Sequence, residues 1–294
     1  MKIAIVSDGA NWVLDDIKGD FQKFTSLEVV KPNQNPDIVW SLDFWSLKRA
    51  FSFRKPVVGH VHHINKDQIS KYNFEILKNA IGCITCNKHT FKELSERNIN
   101  GKIRQIPYWV LSKTMEDVNR CENNQFFNIG SFQKDGQTKS NKPKLIKGPD
   151  IFIDAVEKIN KNVEVNVILA GYCRGYVISE LERRGIRYEI HEKAKDLNPL
   201  YDRLDAYIIS SRAEGGPQAV LEAAYRKVPV ISTDVGMVSD VIHPNCICKA
   251  DEISEKIFDC KYYIMYNYES ALNYRPEVIV PKFDLFFKEL LNGV

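Results

Sequence analysis

Residues 205–234 read DAYIISSRAEGGPQAVLEAAYRKVPVISTD, and this stretch decides the fold. The apolar run Ala206–Ile209 predicts a strand, and a Ser/Arg/Glu/Gly/Gly turn follows it. Gln218–Arg226 predicts a helix, and Val228–Ile231 predicts a second strand directly after it. Strand, helix and strand in this order are the repeating unit of a parallel α/β sheet.

The turn in this stretch has the composition of an anion site. Glu214, Gly215 and Gly216 stand directly before the predicted helix. The first N–H groups of a helix lack intrahelical partners, and the helix dipole adds partial positive charge, so the position favours a phosphate. Glu222 follows eight residues after Glu214 in the same helix. Two carboxylates that flank an anion site suit a sugar phosphate with hydroxyls at both ends.

The segment EGGPQAVLE resembles the E-x7-E signature of retaining GT-B glycosyltransferases, especially glycosyltransferase family 4. The resemblance implies that Glu214 contacts the donor sugar, that Gly215, Gly216 and Pro217 hold the diphosphate, and that Glu222 bonds the nucleotide ribose. The alternative is an ordinary strand-to-helix turn with two surface acids. The motif stands in the strand–turn–helix–strand context that the family requires, which favours the functional interpretation.

A second segment resembles the donor site of the same family. Members have a strand that ends in Gly-Arg and, after a turn, Lys-Gly at the start of a helix, and the Arg and Lys bind the diphosphate. Lys147 and Gly148 match the Lys-Gly pair, whereas the strand here ends in Gly130 and Ser131, so Ser131 replaces the Arg. The candidates for the missing cation are Lys134, Lys144 and Arg212.

The loop 134–147, KDGQTKSNKPKLIK, is rich in Lys, Gly, Ser, Asn and Pro. This composition predicts an irregular segment. For most of its lysines a solvated charged loop is a sufficient explanation. Lys147 is the exception because a helix follows it.

Apolar strands alternate with helical segments along almost the whole chain, which is typical of parallel α/β sheets. In the first half the predicted strands are Lys2–Ser7, Leu27–Val30, Asp37–Ser41, Val57–Val61, Ile81–Cys86 and Lys102–Ile106, and the predicted helices are Trp12–Phe24, Asp67–Asn79 and Lys88–Asn98. In the second half the same alternation gives Phe126–Ile129, the helix Asp150–Ile159, Val163–Ala170, the helix Tyr176–Arg184 and Arg187–Ile190.

This organisation predicts the GT-B architecture, in which two Rossmann-like domains face each other across a cleft at the carboxyl ends of their strands. We expect an acceptor-side domain at 1–112, a nucleotide-sugar domain at 113–274 and a linker at Pro107–Asn124. The amphipathic segment Lys282–Leu291, KFDLFFKELL, predicts a helix. In proteins of this kind a C-terminal helix returns to the N-terminal domain, which places 275–294 there.

Three histidines end the strand KPVVGHVHHI at 55–64. His60 and His62 share one face of a strand, and His63 does not. No Cys or acidic grouping nearby in sequence completes a metal shell, so we expect no metal site. The segment resembles the strand end of family 4 whose His faces the donor sugar and acceptor, which implies a catalytic role for His62. His63 and Gly9 are the further acceptor-side candidates, and a packed structural histidine is the alternative.

Bulk properties exclude several functional classes. The 294 residues are 44% hydrophobic and 27% charged, which is typical of a soluble globular protein. A net charge of +3 gives no reason to expect general polyanion binding. No apolar run is long enough to span a bilayer, and the first residues read as a strand rather than a signal peptide.

Seven cysteines, an odd number, indicate reduced thiols and a cytoplasmic location rather than a disulfide framework. Cys83 and Cys86 form a CxxC, but they lie in a predicted buried strand without a second CxxC. Buried small hydrophobic residues explain them better than a metal or redox site.

The sequence therefore predicts a retaining glycosyltransferase that moves a sugar from a nucleoside diphosphate sugar to a glycan, lipid-linked or small-molecule hydroxyl. We expect no cofactor, no nucleic acid partner and at most peripheral membrane contact. One alternative is a degenerate GT-B subunit that binds nucleotide or a protein partner. Another is an enzyme of different chemistry on the same scaffold, such as an epimerase or a phosphorylase.

Overall fold

The computed structural model describes residues 1–9, 13–64, 71–121, 125–137 and 140–292. Four predicted features fall outside these residues. They are the helix starts at Trp12 and at Asp67, the linker end at Asn124, and Lys139 of the basic loop. The chain divides into two compact units. Unit 1 comprises Met1–Ser112 and Asn273–Val294, and unit 2 comprises Lys113–Leu272.

Unit 1 contains a six-stranded parallel sheet with the strand order β2-β1-β3-β4-β5-β6. The central strands β3, β4 and β5 are buried along their whole length, as is typical of a parallel sheet with helices on both faces. The strands are β1 (Lys2–Val6), β2 (Glu28–Val30), β3 (Ile38–Ser41), β4 (Val57–His60), β5 (Gly82–Thr85) and β6 (Lys102–Gln105). The predicted strands of this half are confirmed, and each end differs from the prediction by at most one residue.

The helices of unit 1 include one that the sequence pattern did not predict, α2, because it is only five residues long. Asn87 begins α4, and its side chain accepts a hydrogen bond from the Thr90 N–H at 2.8 Å, an ordinary N-cap. The helices are α1 (Val13–Phe24), α2 (Leu47–Phe51), α3 (Lys71–Leu77) and α4 (Lys88–Ser95), and a 3-10 turn follows at Ser112–Met115.

Unit 2 contains a five-stranded parallel sheet with the order β11-β10-β7-β12-β13. Gly130 lies in the central strand, where an added Cβ would overlap the methyl groups of Leu204 and require that side chain to shift. The sheet strands are β7 (Phe127–Phe132), β10 (Val165–Ala170), β11 (Arg187–His191), β12 (Ala206–Ile209) and β13 (Val230–Ser232), and a separate hairpin consists of β8 (Gly136–Gln137) and β9 (Ser140–Pro143).

The hairpin corrects one prediction. The loop 134–147 was expected to be wholly irregular, but β8 and β9 pair antiparallel within it. The Lys144 N–H closes the segment with a 2.7 Å hydrogen bond to the Asp135 carbonyl. Gly136 packs against the Cys173 carbonyl so closely that a Cβ would overlap it. These long-range contacts stabilise paired strands in a segment whose composition favours a loop.

The helices of unit 2 pack on its sheet, and the last of them ends at the C-terminal boundary of the unit. They are α5 (Pro149–Asn160), α6 (Gly175–Arg183), α7 (Asn198–Asp202), α8 (Gln218–Tyr225), α9 (Val238–Val241), α10 (Ile253–Lys256) and α11 (Ile264–Leu272). Shorter 3-10 segments lie at Leu145–Lys147, Pro244–Cys246, Ala250–Glu252 and Ile257–Tyr263.

The C-terminal helix α12, Pro276–Asn292, belongs to unit 1, as predicted, and is longer than the predicted segment. Phe283 lies 5.2 Å from Trp40 and 6.2 Å from Phe21 between ring centroids, and all three are fully buried. The helix therefore completes the core of unit 1. No helix in the described part of the chain has the length and apolarity that crossing a bilayer requires.

Candidate functional site

Glu214 and Lys147 meet at the turn that precedes α8. The Lys147 Nζ lies 2.6 Å from the Glu214 Oε1, and the Ser211 hydroxyl donates to the same oxygen at 2.8 Å. The Lys147 side chain is 30% exposed, so the pair remains open to a ligand. The two residues that the sequence assigned separately to donor binding therefore form one charged cluster.

Gly148 allows this meeting. Its φ is +60°, and a Cβ would overlap the Ser210 carbonyl. The Ser210 hydroxyl donates to the Gly148 carbonyl at 2.8 Å. The absent side chain thus lets the backbone that carries Lys147 lie directly against the end of β12.

Another glycine, Gly236, packs against the turn that contains Gly215 and Gly216. Gly236, with φ +56°, lies so close to the Gly215 carbonyl that a Cβ would overlap it. Pro217 is extended, with φ −63° and ψ 109°, and α8 begins immediately after it. The backbone around Gly215 and Gly216 therefore has a defined course, and the first N–H groups of α8 lie next to it.

Glu222 is buried in α8 and receives a hydrogen bond from the Tyr201 hydroxyl at 2.8 Å. Burial and the negative charge of Glu222 raise the pKa of Tyr201 well above its usual range, so the phenol stays a donor. Tyr201 contacts Phe132 at the end of β7 with ring centroids 4.8 Å apart. This hydrogen bond from Tyr201 orients the carboxylate.

Arg212, a candidate for the missing cation, forms an ion pair with Asp150. The guanidinium donates two hydrogen bonds to this carboxylate at 2.8 and 2.5 Å and a third to the Leu145 carbonyl at 2.6 Å. The hydrogen bonds from Arg212 lower the pKa of Asp150. In this arrangement Arg212 ties the turn before α8 to the start of α5.

The cation beside Ser131 is Arg174, which the sequence reasoning did not identify. Arg174 is fully buried and donates to the Ser131 carbonyl at 2.5 Å and to its hydroxyl at 3.1 Å. It pairs with Asp135 at 3.0 Å, and burial raises the pKa of that carboxyl although Arg174 opposes the rise. The only sequence signal was an arginine four residues after the strand β10, in GYCRG.

The other two candidate cations lie in the segment that leads to Lys147. Lys134 is exposed and Lys144 is partly buried. Burial and the positive charges of Lys134 and Lys147 lower the pKa of Lys144.

In unit 1, His62 is held by both ring nitrogens. Its Nε2 lies 2.9 Å from the Leu42 carbonyl, and its Nδ1 lies 2.6 Å from the Tyr108 hydroxyl. Because a carbonyl only accepts, Nε2 carries the proton and Nδ1 accepts from Tyr108. Burial, with a smaller effect of His63, lowers the pKa of His62 to about 4. The imidazole is therefore neutral at neutral pH.

In the folded chain a cysteine lies beside the histidines, which their spacing in the sequence did not indicate. Cys86, which follows β5, lies beside the histidines of β4, and the ligand atoms of His60, His62 and Cys86 are within 4.8 Å of one another. The expectation that no cysteine lies near was wrong, because pairing of parallel strands joins residues that are far apart in sequence. Cys83 is buried, which raises the pKa of its thiol to about 12.

The remaining acceptor-side candidates lie near the ends of β1 and β4. Gly9 is exposed and has φ +69°, and His63 is partly buried beside His62. The preceding Asp8 donates its N–H to the Asp43 carboxylate at 2.9 Å. These residues lie on unit 1, and their roles remain predictions.

Residues 141–260 match the family model of glycosyl transferases group 1. No curated protein sequence matches the chain. The matched residues lie within unit 2 and include Lys147, Glu214 and Glu222.

Solved structures share the fold along the whole chain at low sequence identity. The Anabaena protein Alr3699/HepE, crystallised with UDP and glucose, is 16% identical, with a TM-score of 0.70 and 100% of each chain covered. A glycosyltransferase from Rickettsia africae is 15% identical, with a TM-score of 0.73 and coverage of 100% and 99%. The lipopolysaccharide outer core galactosyltransferase WaaB is 15% identical, with a TM-score of 0.67 and coverage of 98% and 100%. The chain has the GT-B fold, and the family match supports a glycosyltransferase.

Proposed function

We propose that this chain is a retaining glycosyltransferase of family 4 that transfers a sugar from a nucleoside diphosphate sugar to an acceptor hydroxyl. The observation that carries the proposal is the 2.6 Å contact between Lys147 and Glu214 at the turn before α8. A cation for phosphate, a carboxylate for sugar hydroxyls and the N-terminus of a helix occur together there. HepE, with UDP and glucose, is a structural neighbour with the same class of ligand.

The proposed chemistry is electrostatic. Negative charge develops on the departing phosphate as its bond to the sugar breaks. Lys147 and the first N–H groups of α8 stabilise this charge. Fixed donors of this kind each lower the activation free energy by about 3–4 kcal/mol. Because lysine and helix dipole supply the positive charge, we propose that the reaction needs neither a metal ion nor a cofactor.

Glu214 and Glu222 have different proposed tasks. Glu214, fixed by Lys147 and Ser211, orients the donor sugar. Glu222, fixed by Tyr201, bonds the ribose. In the retaining reaction the departing phosphate itself takes the proton of the acceptor hydroxyl.

On unit 1 we propose that His62 orients substrate as a neutral imidazole. Its tautomer is defined by Leu42 and Tyr108. Contact with a hydroxyl requires one of these two bonds to be exchanged for one with substrate. The proposed acceptor is a glycan, lipid-linked or small-molecule hydroxyl. All seven cysteines are free thiols, which supports a proposed cytoplasmic location.

Calorimetry with UDP, ADP, GDP and the corresponding sugar nucleotides, with and without magnesium, tests the donor site. We expect one diphosphate to bind without metal. Lys147→Ala should weaken that binding about tenfold to hundredfold, because a charged hydrogen bond is lost. The exposed Lys158→Ala is the matched control and should bind normally.

The two glutamates separate the parts of the donor. Glu222→Ala should weaken the free diphosphate and the sugar nucleotide alike, whereas Glu214→Ala should weaken only the sugar nucleotide. An unchanged affinity in a folded Glu222→Ala variant would disprove the ribose assignment. If the folded protein binds no nucleotide, the degenerate GT-B subunit becomes the better interpretation.

A further inference from the structure

A buried histidine of unit 1 has two unused ring nitrogens. His60, at the end of β4, is 0% exposed. Among the residues that the structure describes, neither its Nδ1 nor its Nε2 has a hydrogen-bond partner. Its ring stacks on those of His62 and Tyr108, with centroids 4.8 and 5.0 Å apart. Buried ring nitrogens normally have a partner, so His60 has a binding capacity that the contacts of the fold do not use.

Strand pairing places two further metal-ligating groups beside His60. In the parallel register of β4 and β5, His60 is level with Ile84. Two residues further along, this register places His62 level with Cys86, on the same face of the sheet as His60. The ligand atoms of His60, His62 and Cys86 lie within 4.8 Å of one another. Two imidazoles and one thiol therefore converge from two neighbouring strands.

The Cys86 sulfur has a neighbouring hydrogen-bond donor. The Asn87 amide nitrogen lies 3.8 Å from the Cys86 Sγ and donates to the His62 carbonyl at 3.1 Å. The other end of this amide is fixed by the Thr90 N–H, which donates to it at 2.8 Å. A thiolate is the form of cysteine that binds metals, and a donor to sulfur stabilises it. Asn87 therefore supports Cys86 as a ligand.

We propose that His60, His62 and Cys86 bind a thiophilic divalent cation, Zn²⁺, with water as the fourth ligand. Nitrogen and sulfur ligands favour zinc, whereas magnesium and calcium require oxygen. The Cys86 thiol releases its proton to solvent as the bond between zinc and sulfur forms. The ion joins the ends of β4 and β5 in unit 1. Its binding does not depend on the proposed glycosyl transfer.

Binding requires small movements of the three side chains. Nitrogen and sulfur ligands of a tetrahedral zinc ion lie about 3.3–3.6 Å apart, so a spacing of up to 4.8 Å must shorten by about 1 Å. His62 must exchange its hydrogen bond with Leu42 or with Tyr108 for the bond to zinc. Because His62 is partly exposed, it provides the route by which an ion reaches the buried His60 and Cys86.

Calorimetric titration of the full chain with zinc chloride, after removal of metals by a chelator, tests the proposal. We expect one zinc ion per chain and the release of a proton. Cys86→Ser should weaken zinc binding by at least about tenfold to hundredfold, because the loss of even a supporting group costs this much. Cys83→Ser is the matched control, since Cys83 is also buried at β5 but lies outside the group, and it should bind zinc like the wild type.

Cobalt(II) in place of zinc identifies the ligands by absorption spectroscopy. Co²⁺ bound to a thiolate has a charge-transfer band in the near ultraviolet, which the wild type and Cys83→Ser should show and Cys86→Ser should lack. His60→Phe keeps an aromatic ring in contact with Trp40, Tyr108 and Phe283, so the variant should fold but bind zinc and cobalt more weakly. Circular dichroism checks that each variant is folded.

Three results would overturn the proposal. They are the absence of zinc binding by the folded chain, a cobalt complex without the thiolate band, and equal losses of zinc affinity in Cys83→Ser and Cys86→Ser. Magnesium in excess should leave bound zinc in place, because it prefers oxygen ligands. Displacement of zinc by magnesium would count equally against a site made of two histidines and a cysteine.

Discussion

Gly148 shows how a single residue determines the contact between Lys147 and Glu214. Its backbone is left-handed, and its missing Cβ makes room for the Ser210 carbonyl. No other residue satisfies both requirements, because L side chains avoid positive φ and a methyl group here would overlap backbone. The position is therefore more sensitive to substitution than an exposed glycine.

We expect Gly148→Ala to lower the free energy of unfolding by about 2–4 kcal/mol, because backbone strain and overpacking add. Gly185→Ala is the matched control: its φ is +65°, but nothing lies within 4 Å of the added Cβ. This control should cost only about 1 kcal/mol. Urea denaturation measures both, and equal losses would show that the contact with Ser210 contributes nothing.

His62 should make stability depend on pH. Its pKa in the folded protein is lowered to about 4 by burial, below the value of about 6.5 in an unfolded chain. The unfolded state therefore binds more protons between these values, so the free energy of unfolding falls as pH drops from about 6.5 to 4. The full loss from this residue is about 3 kcal/mol, and none is expected above pH 7.

His62→Gln should remove this part of the pH dependence, measured as urea unfolding from pH 4 to 8. An NMR titration of the His62 ring gives the pKa directly. The lowered pKa of the fully buried His60 adds to the same slope and is itself lowered in part by His62, so the NMR titration assigns the part that belongs to the His62 ring. A measured pKa of the His62 ring near 6.5 would contradict the expected burial.

At this scale the sequence could predict which residues carry charge, but not always their partners. Lys147, Glu214 and Glu222 were assigned from short motifs in a strand–turn–helix context, and their donor roles stay predictions. Arg212, a predicted donor-site cation, pairs with Asp150, a partner that the sequence spacing did not indicate. Arg174 and Cys86 were missed because the tertiary fold, rather than sequence spacing, brings them to Ser131 and His62.

At the scale of elements, the buried pair Arg174–Asp135 joins the ends of two strands. Arg174 follows β10, and it holds Ser131 of β7 and the Asp135 carboxylate beside the hairpin. Both side chains are essentially inaccessible to water. The pair therefore stabilises the backbone on the side of the sheet from which the Lys147 segment departs.

We expect Arg174→Met to destabilise the protein by about 3–5 kcal/mol, because it leaves the Asp135 charge buried without its partner. Adding Asp135→Leu should recover much of this loss, since removal of both charges avoids the unpaired one. Chemical denaturation of the two variants tests this. Arg183→Met, at an exposed pair with Glu180, is the control and should unfold like the wild type.

Elements of ordinary length were predictable from sequence, and short ones were not. The strands and most helices follow apolar runs with their characteristic period. The helix α2 and the hairpin of β8 and β9 contain too few residues to show a period. Their formation depends on tertiary contacts, such as that of Gly136 with Cys173.

At the scale of the whole molecule, two units with separate cores share one chain. Phe283 of α12 and Phe152 of α5 are equivalent in burial, at 0% and 1% exposed, but belong to different units. Phe283→Ala should lower the melting temperature of unit 1, and Phe152→Ala that of unit 2. Each truncation costs about 3–5 kcal/mol, or roughly 10 °C.

Differential scanning calorimetry distinguishes the two effects. The diphosphate that binds in the calorimetric panel should raise only the transition that Phe152→Ala lowers, because ligand binding stabilises the unit that holds the site. A single transition that both variants lower equally would show that the units unfold together.

The discontinuity of unit 1 has a consequence for how the protein is made. A ribosome completes the whole of unit 2 before it synthesises α12, which supplies Phe283 to the core of unit 1. Domains usually fold in the order in which they are translated. Here Phe21 and Trp40 of the N-terminal unit lack their contacts with Phe283 until the last helix has left the ribosome. The domain that is translated first is therefore the one that matures last.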